Sequence, residues 1–281
     1  METKEQLMIE LDTIHIWEAD QKKLWFWERA GRLPFKLLDR VTPQFIHNKI
    51  GQVLNEIGSY LQTGGRYLYK ERDIFKRFIG KTGEHEITLD VISRLSLEDM
   101  DEISDQIIQS RKNVAMTQGA TTGFGGLFTL TIDIPIILGI SLKTLQEVAL
   151  SYGYDPNDEK ERVFIVKCLQ FASSDIVGKQ AILSELTVYD DAKKNEQTIS
   201  QIQGWNEVMM TYRDNLGWKK LFQLIPVAGM VFGAFINKSM ISEIGETGKM
   251  FYKKRRIMEK LLLFDEAAIE EINVNRVTSN D

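Results

Sequence analysis

Apolar and polar positions recur with a helical period along most of the chain, and the pattern breaks at two long stretches from which charge disappears. Residues 5–30 form a Trp-rich amphipathic segment carrying Trp17, Trp25 and Trp27, and a second helix is predicted up to about residue 62. Residues 66–81 interleave Tyr67, Phe75 and Phe78 with six cations and read as another helix, closed by Gly80 and Gly83. Ser96 with Asp99 makes a capping-box-like start to a helix that runs into the first uncharged stretch, residues 113–132. Beyond Asp133 the apolar character resumes through residue 142, with Pro135 just past the break. The pattern predicts a helical hairpin whose second arm is capped by Asp133 and ends near Gly153. Asp155, Pro156 and Asn157 then lead into a helix over about 159–172, and residues 179–212 favour helix with Trp205 and Met209 on one face.

The second uncharged stretch, residues 221–236, holds Pro226, Gly229 and Gly233 and is followed by Asn237 and the basic run Lys253, Lys254, Arg255 and Arg256. A final helix reaches towards residue 272. All five prolines fall where a helical reading needs an interruption, and no segment alternates with β-branched enrichment. The fold class is therefore all-α, a multi-helix bundle with two Gly-rich apolar segments packed centrally. Three regions are expected: residues 1–85, a helical core over 86–265 and a tail over 266–281, or one domain throughout.

Gly119 and Gly123 lie four apart, Ala115 precedes them by four, and Gly125 and Gly126 follow, so one helix stripe is nearly free of side chains and invites close helix approach. A membrane span needs about 20 mostly apolar residues. Residues 113–132 have the length but are diluted by Gln118, threonines and glycines, while the second arm is interrupted by Lys143 and Glu147. Neither arm is a convincing span. Lys253, Lys254, Arg255 and Arg256, following an apolar helix, match the arrangement that holds a peripheral protein on anionic lipid and are candidate lipid contacts. A solvated helix face is the competing reading. Asn237 is expected to bond across helices.

Composition narrows the chemistry. Among 281 residues, 43% are hydrophobic, enough for a buried core, and the net charge of -5 argues against a nucleic-acid partner. The single Cys168 excludes an internal disulfide framework and suits a reducing compartment, and the first twelve residues lack the apolar centre of a secretory signal. Catalytic patterns fail on inspection. Gly80, Lys81 and Thr82 imitate the end of a phosphate-binding loop, but Phe75 stands where its first glycine belongs. Asp155, Asn157 and Glu159 imitate a calcium loop, but Lys160 replaces its glycine and Val166 its final Glu, so a turn and cap is the better reading. His15, His47 and His85 lack a second ligand at helical spacing, and Cys168 sits in an apolar run. No catalytic, metal-binding or cofactor-binding residues are assigned, and no cofactor is expected.

In order and spacing, several groups of residues resemble the EcsC family of bacterial proteins, named for a protein associated with an ABC transporter. They are the segment from Gly119 to Gly126; Asp133 with Pro135; Tyr152, Gly153, Tyr154 and Asp155; Arg162 with Phe164; and Ile225, Pro226, Gly229, Gly233 and Asn237 through Tyr252 and Arg255. The resemblance covers roughly residues 90–260. It implies a bacterial, helical, membrane-associated protein, and it carries over no catalytic residues because the family's molecular activity is not established. The leading expectation is a non-enzymatic cytoplasmic protein at the inner membrane face, whose partner is the membrane surface or a membrane complex and which could form oligomers. It would attach through the apolar hairpin and the basic C-terminal helix and serve as an accessory or regulator of a transporter or secretion complex. A soluble helical module binding an apolar ligand or a partner helix is the alternative, and a hydrolase using Asp133 or Asp155 with a histidine is a third.

Overall fold

The first turn of the chain already shows how its helices are started. Thr3 accepts a hydrogen bond from the Gln6 amide at 3.3 Å while the Gln6 side chain accepts from the Thr3 amide at 2.9 Å, a capping box that opens α1, Lys4–Asp20. Leu7, Leu11 and Ile14 follow at the i, i+4, i+7 spacing and are buried. The computed structural model describes residues 2–21, 60, 69–84, 86–122, 127–172, 179–184, 186 and 230–278, with the backbone alone at 119–122, 127–135, 230–237 and 265–278. All the elements among the described residues are helical. The helix predicted to residue 30 ends at Asp20, and Trp25, Trp27, Pro34, Pro43, His47, His85, Trp205, Met209 and Pro226 lie outside the described residues.

The basic segment predicted as one helix is shorter. It forms α2, Glu71–Phe75, and a 3₁₀ turn, Lys76–Phe78, which together bury only Ile74 and Phe78, and the left-handed Gly80 (φ +91°) follows. Thr88, accepting from the Val91 amide, opens α3, Leu89–Ser93. Ser96 opens α4, Leu97–Thr122: its hydroxyl accepts from the Asp99 amide at 3.1 Å and donates to the Asp99 carboxylate at 2.7 Å. The second arm of the hairpin is α5, Leu127–Ser151.

Here the sequence reading needs correction, because Asp133 and Pro135 lie inside α5 rather than at its start. Pro135 removes one backbone bond from a helix anchored by the packing of its C-terminal half. Beyond α5, α6 spans Glu159–Ala172 as expected, and α7 is a single helix, Met230–Thr278, roughly 73 Å long at 1.5 Å per residue.

The core assembles around α7, which lies along α4, α5, α6 and α1. It approaches two of them closely at glycines. A Cβ on Gly245 would stand 2.8 Å from Ile108 Cγ1, and one on Gly248 2.6 Å from Leu145 Cδ2. Ala115 on α4 is fully buried, and these α7 glycines lie apart from the predicted stripe, whose Gly119 is described by backbone alone and whose Gly123, Gly125 and Gly126 lie outside the described residues. Gly248→Ala is expected to destabilise the protein by about 1–3 kcal/mol through overpacking, measured by urea unfolding; an unchanged midpoint would mean that α5 and α7 re-space freely. Further along, half-buried Trp17 packs against the core residues Phe171 and Phe251 with ring centroids 5.9 and 5.6 Å away.

Candidate functional site

The end of α5 is built by local backbone rules. Gly153 takes φ +77°, its amide donates to Leu150 O at 3.0 Å and the Tyr154 amide to Ala149 O at 3.0 Å, the paired bonds of a Schellman motif. Asp155 then accepts from the Asn157 amide at 2.8 Å, and Asp158 accepts from the Lys160 amide at 2.9 Å at the start of α6. The calcium-loop imitation is therefore a turn and cap, as the sequence suggested.

Onto this corner α7 lowers its basic run. The Arg255 guanidinium makes a two-pronged ion pair with Glu161 on α6, at 2.8 and 2.6 Å, and both side chains are under a tenth exposed. Tyr252 donates to the same carboxylate at 3.2 Å. The guanidinium is sandwiched between the rings of Tyr154 and Phe164, 4.2 and 4.3 Å from their centroids. Burial opposes its charge, but the bonded Glu161 outweighs burial and holds the pKa well above the ordinary arginine value. Arg256 donates twice to the Tyr152 carbonyl, at 3.1 and 2.6 Å, closing the exposed end of α5, and pairs with Glu259.

The two lysines of the run reach the other way. Lys253 bridges Glu10 on α1 and Asp101 on α4, at 2.6 and 2.7 Å, and these bonds outweigh burial to raise its pKa. Asp101 also accepts from Tyr152 at 2.5 Å, and Lys254 pairs with Glu18 at 2.7 Å. Lys253, Lys254, Arg255 and Arg256 are thus engaged inside the protein. They do not form a free basic surface, because α1, α4 and α6 each present a carboxylate to them. Pattern reading along one helix registers the cations and misses acceptors that are up to 243 residues away in sequence.

The other sequence candidates are placed as follows. Lys81 donates to Asp99 at 2.8 Å and Glu102 at 2.7 Å, which accounts for it without a phosphate. Cys168 is buried, and burial pushes its thiol far up. His15 is exposed on α1. Among the described residues no group of His, Cys, Asp or Glu is arranged to hold a metal ion. Gly123 and Gly229 lie outside the described residues, while Gly119 on α4, Asp133 and Pro135 on α5, and Gly233 and Asn237 on α7 are fixed by backbone alone.

Those backbone positions nevertheless converge. The contacts of Gly245 with Ile108 and Gly248 with Leu145, and the pairing of Lys249 with Asp105, run α7 antiparallel to α4 and parallel to α5. The C-terminal part of α4, the N-terminal part of α5 and the start of α7 therefore gather at one end of the assembly. From residue 113 to 142 the only charge is Asp133, and from 221 to 237 there is none. Where side chains are described there, Val114, Met116 and Ile136 are exposed, each by about two-fifths. Two faces of chemistry result: a body cross-tied by ion pairs and an end almost without charge.

An all-α protein with an ion-paired corner and an uncharged end is the class these features define. The chain belongs to the EcsC protein family, whose model matches residues 9–257. Tyr152, Gly153, Tyr154, Phe164, Tyr252 and Arg255, on which the resemblance partly rested, meet in the Arg255–Glu161 corner. The uncharacterized protein YdbA of Bacillus subtilis (strain 168) is 56% identical over 261 residues, 92% of this chain and 96% of that protein. Protein EcsC of the same organism is 26% identical over 239 residues, 85% of this chain and 90% of its own length. No solved structure matches the chain.

Proposed function

We propose that this protein is a non-enzymatic, membrane-associated helical protein that rests its uncharged end in the lipid surface and acts as an accessory to a membrane complex. The observation that carries this reading is the gathering of three helix segments at one end, whose one charge is Asp133 on α5, with Val114, Met116 and Ile136 exposed there. Exposed apolar side chains cost about 25 cal/mol per Å² in water and favour an apolar environment. No helix among the described residues is long and apolar enough to cross a membrane, so attachment is to the surface of the bilayer. A transporter or secretion complex as partner is what the family's name suggests.

Fractionation of cells expressing the protein tests this. The chain should sediment with membranes, and Val114→Glu combined with Ile136→Glu should shift most of it to the supernatant with an unchanged helical circular dichroism spectrum. Recovery of the unaltered protein in the cytosol before any wash would overturn the membrane reading in favour of a soluble binding module.

A further inference from the structure

We propose that Lys112, Lys143 and Lys238 form a cationic collar that binds the phosphate groups of anionic lipids at the base of the uncharged end. The inference rests on the membrane reading and adds the class of lipid. The stretch 113–142, whose one charge is Asp133, is bounded by Lys112 on α4 and Lys143 on α5, and the uncharged stretch 221–237 ends at Lys238 on α7. All three are partly exposed.

Their pairing state sets them apart. Ten cationic side chains are described on α4, α5 and α7. Seven of them, Arg111 and those at 249, 253, 254, 255, 256 and 260, hold a carboxylate. The remaining three are Lys112, Lys143 and Lys238, which have no carboxylate partner among the described residues. Nearby acids are already occupied: Glu147 by Arg111, Asp105 by Lys249 and Glu243 by Lys179. Among the described residues, these three cations thus stand without a carboxylate at the boundary between the ion-paired body and the end almost without charge.

The register of the helices places them at similar depth. With Gly245 beside Ile108 and Gly248 beside Leu145, the three lysines fall within about 12 Å along the helix axes at a rise of 1.5 Å per residue. The polar layer of a bilayer leaflet is roughly 5–8 Å deep, and flexible lysine stems bring their ammonium groups into one such layer from that spread. An apolar end with a cation ring behind it is complementary to hydrocarbon beneath anionic headgroups; a zwitterionic surface offers the ring no net charge.

Flotation of the full chain with phosphatidylcholine vesicles, with and without phosphatidylglycerol, tests the collar. Each lysine near an anionic surface strengthens binding roughly fivefold at low salt, so three give a preference for the anionic vesicles on the order of a hundredfold. Lys112→Gln, Lys143→Gln and Lys238→Gln together should abolish that preference while binding to neutral vesicles persists, and the corresponding arginine variant should retain it. Equal binding of the unaltered protein to both vesicles would overturn the collar and leave the membrane reading standing; binding to neither would overturn both. Loss of the preference in millimolar inorganic phosphate, but not in chloride of equal ionic strength, would assign the lysines to free phosphate instead.

Discussion

Glu161→Ala is expected to lower the stability of the folded protein by about 3–5 kcal/mol, the cost of stranding a buried cation. Arg255 would remain wedged between Tyr154 and Phe164, with both hydrogen bonds to the carboxylate gone. Tyr252 would lose its acceptor as well. The companion experiment is Glu161→Leu with Arg255→Met, which removes both charges and keeps the volume. It should recover most of the loss, because an apolar pair of similar size often equals a buried ion pair in stability. Urea unfolding followed by circular dichroism measures both. A single variant costing less than about 1 kcal/mol would show that the corner admits water and that the pair is of the weak, exposed kind.

Gly153→Ala is expected to cost about 3 kcal/mol. A left-handed backbone penalises an L side chain by about 1–2 kcal/mol. The added Cβ also meets backbone, standing 2.9 Å from both Leu89 O and Ser93 N, which adds roughly 1–3 kcal/mol because α3 and the turn must separate. Gly80 supplies the internal control. It has φ +91° but open space around its Cβ position, so Gly80→Ala should lose only the backbone part. Thermal midpoints that fall equally for the two variants would refute the packing contribution and with it the close seating of α3 on the end of α5.

Local chemistry was legible in the sequence wherever short-range rules govern. The helix over 159–172, the Ser96–Asp99 cap, the end of α5 near Gly153 and the turn at Asp155 depend on neighbours within five residues. Asp133 misleads because a carboxylate beside a proline imitates a helix start, whereas it lies inside α5. The basic run was misread for a different reason. Its acceptors, Glu10, Glu18, Asp101 and Glu161, come from three other helices, and no periodicity along α7 encodes them. The same applies to Lys112, Lys143 and Lys238, which look ordinary in the sequence until the ion pairs of their neighbours are known.

The length and position of α7 also bear on how the chain reaches this structure. Glu2, Glu10 and Glu18 on the first segment find their lysines only at 260, 253 and 254, so these ties close loops of 236–258 residues. Contacts so distant are entropically late, and on a ribosome they cannot form until most of the polypeptide has emerged. Until then the inner faces of α1, α4, α5 and α6 lack the helix that covers them. The protein therefore spends its synthesis with apolar surface uncovered, and an order of assembly in which α4 and α5 pair first shortens that interval, since theirs is the most local of the large helix contacts.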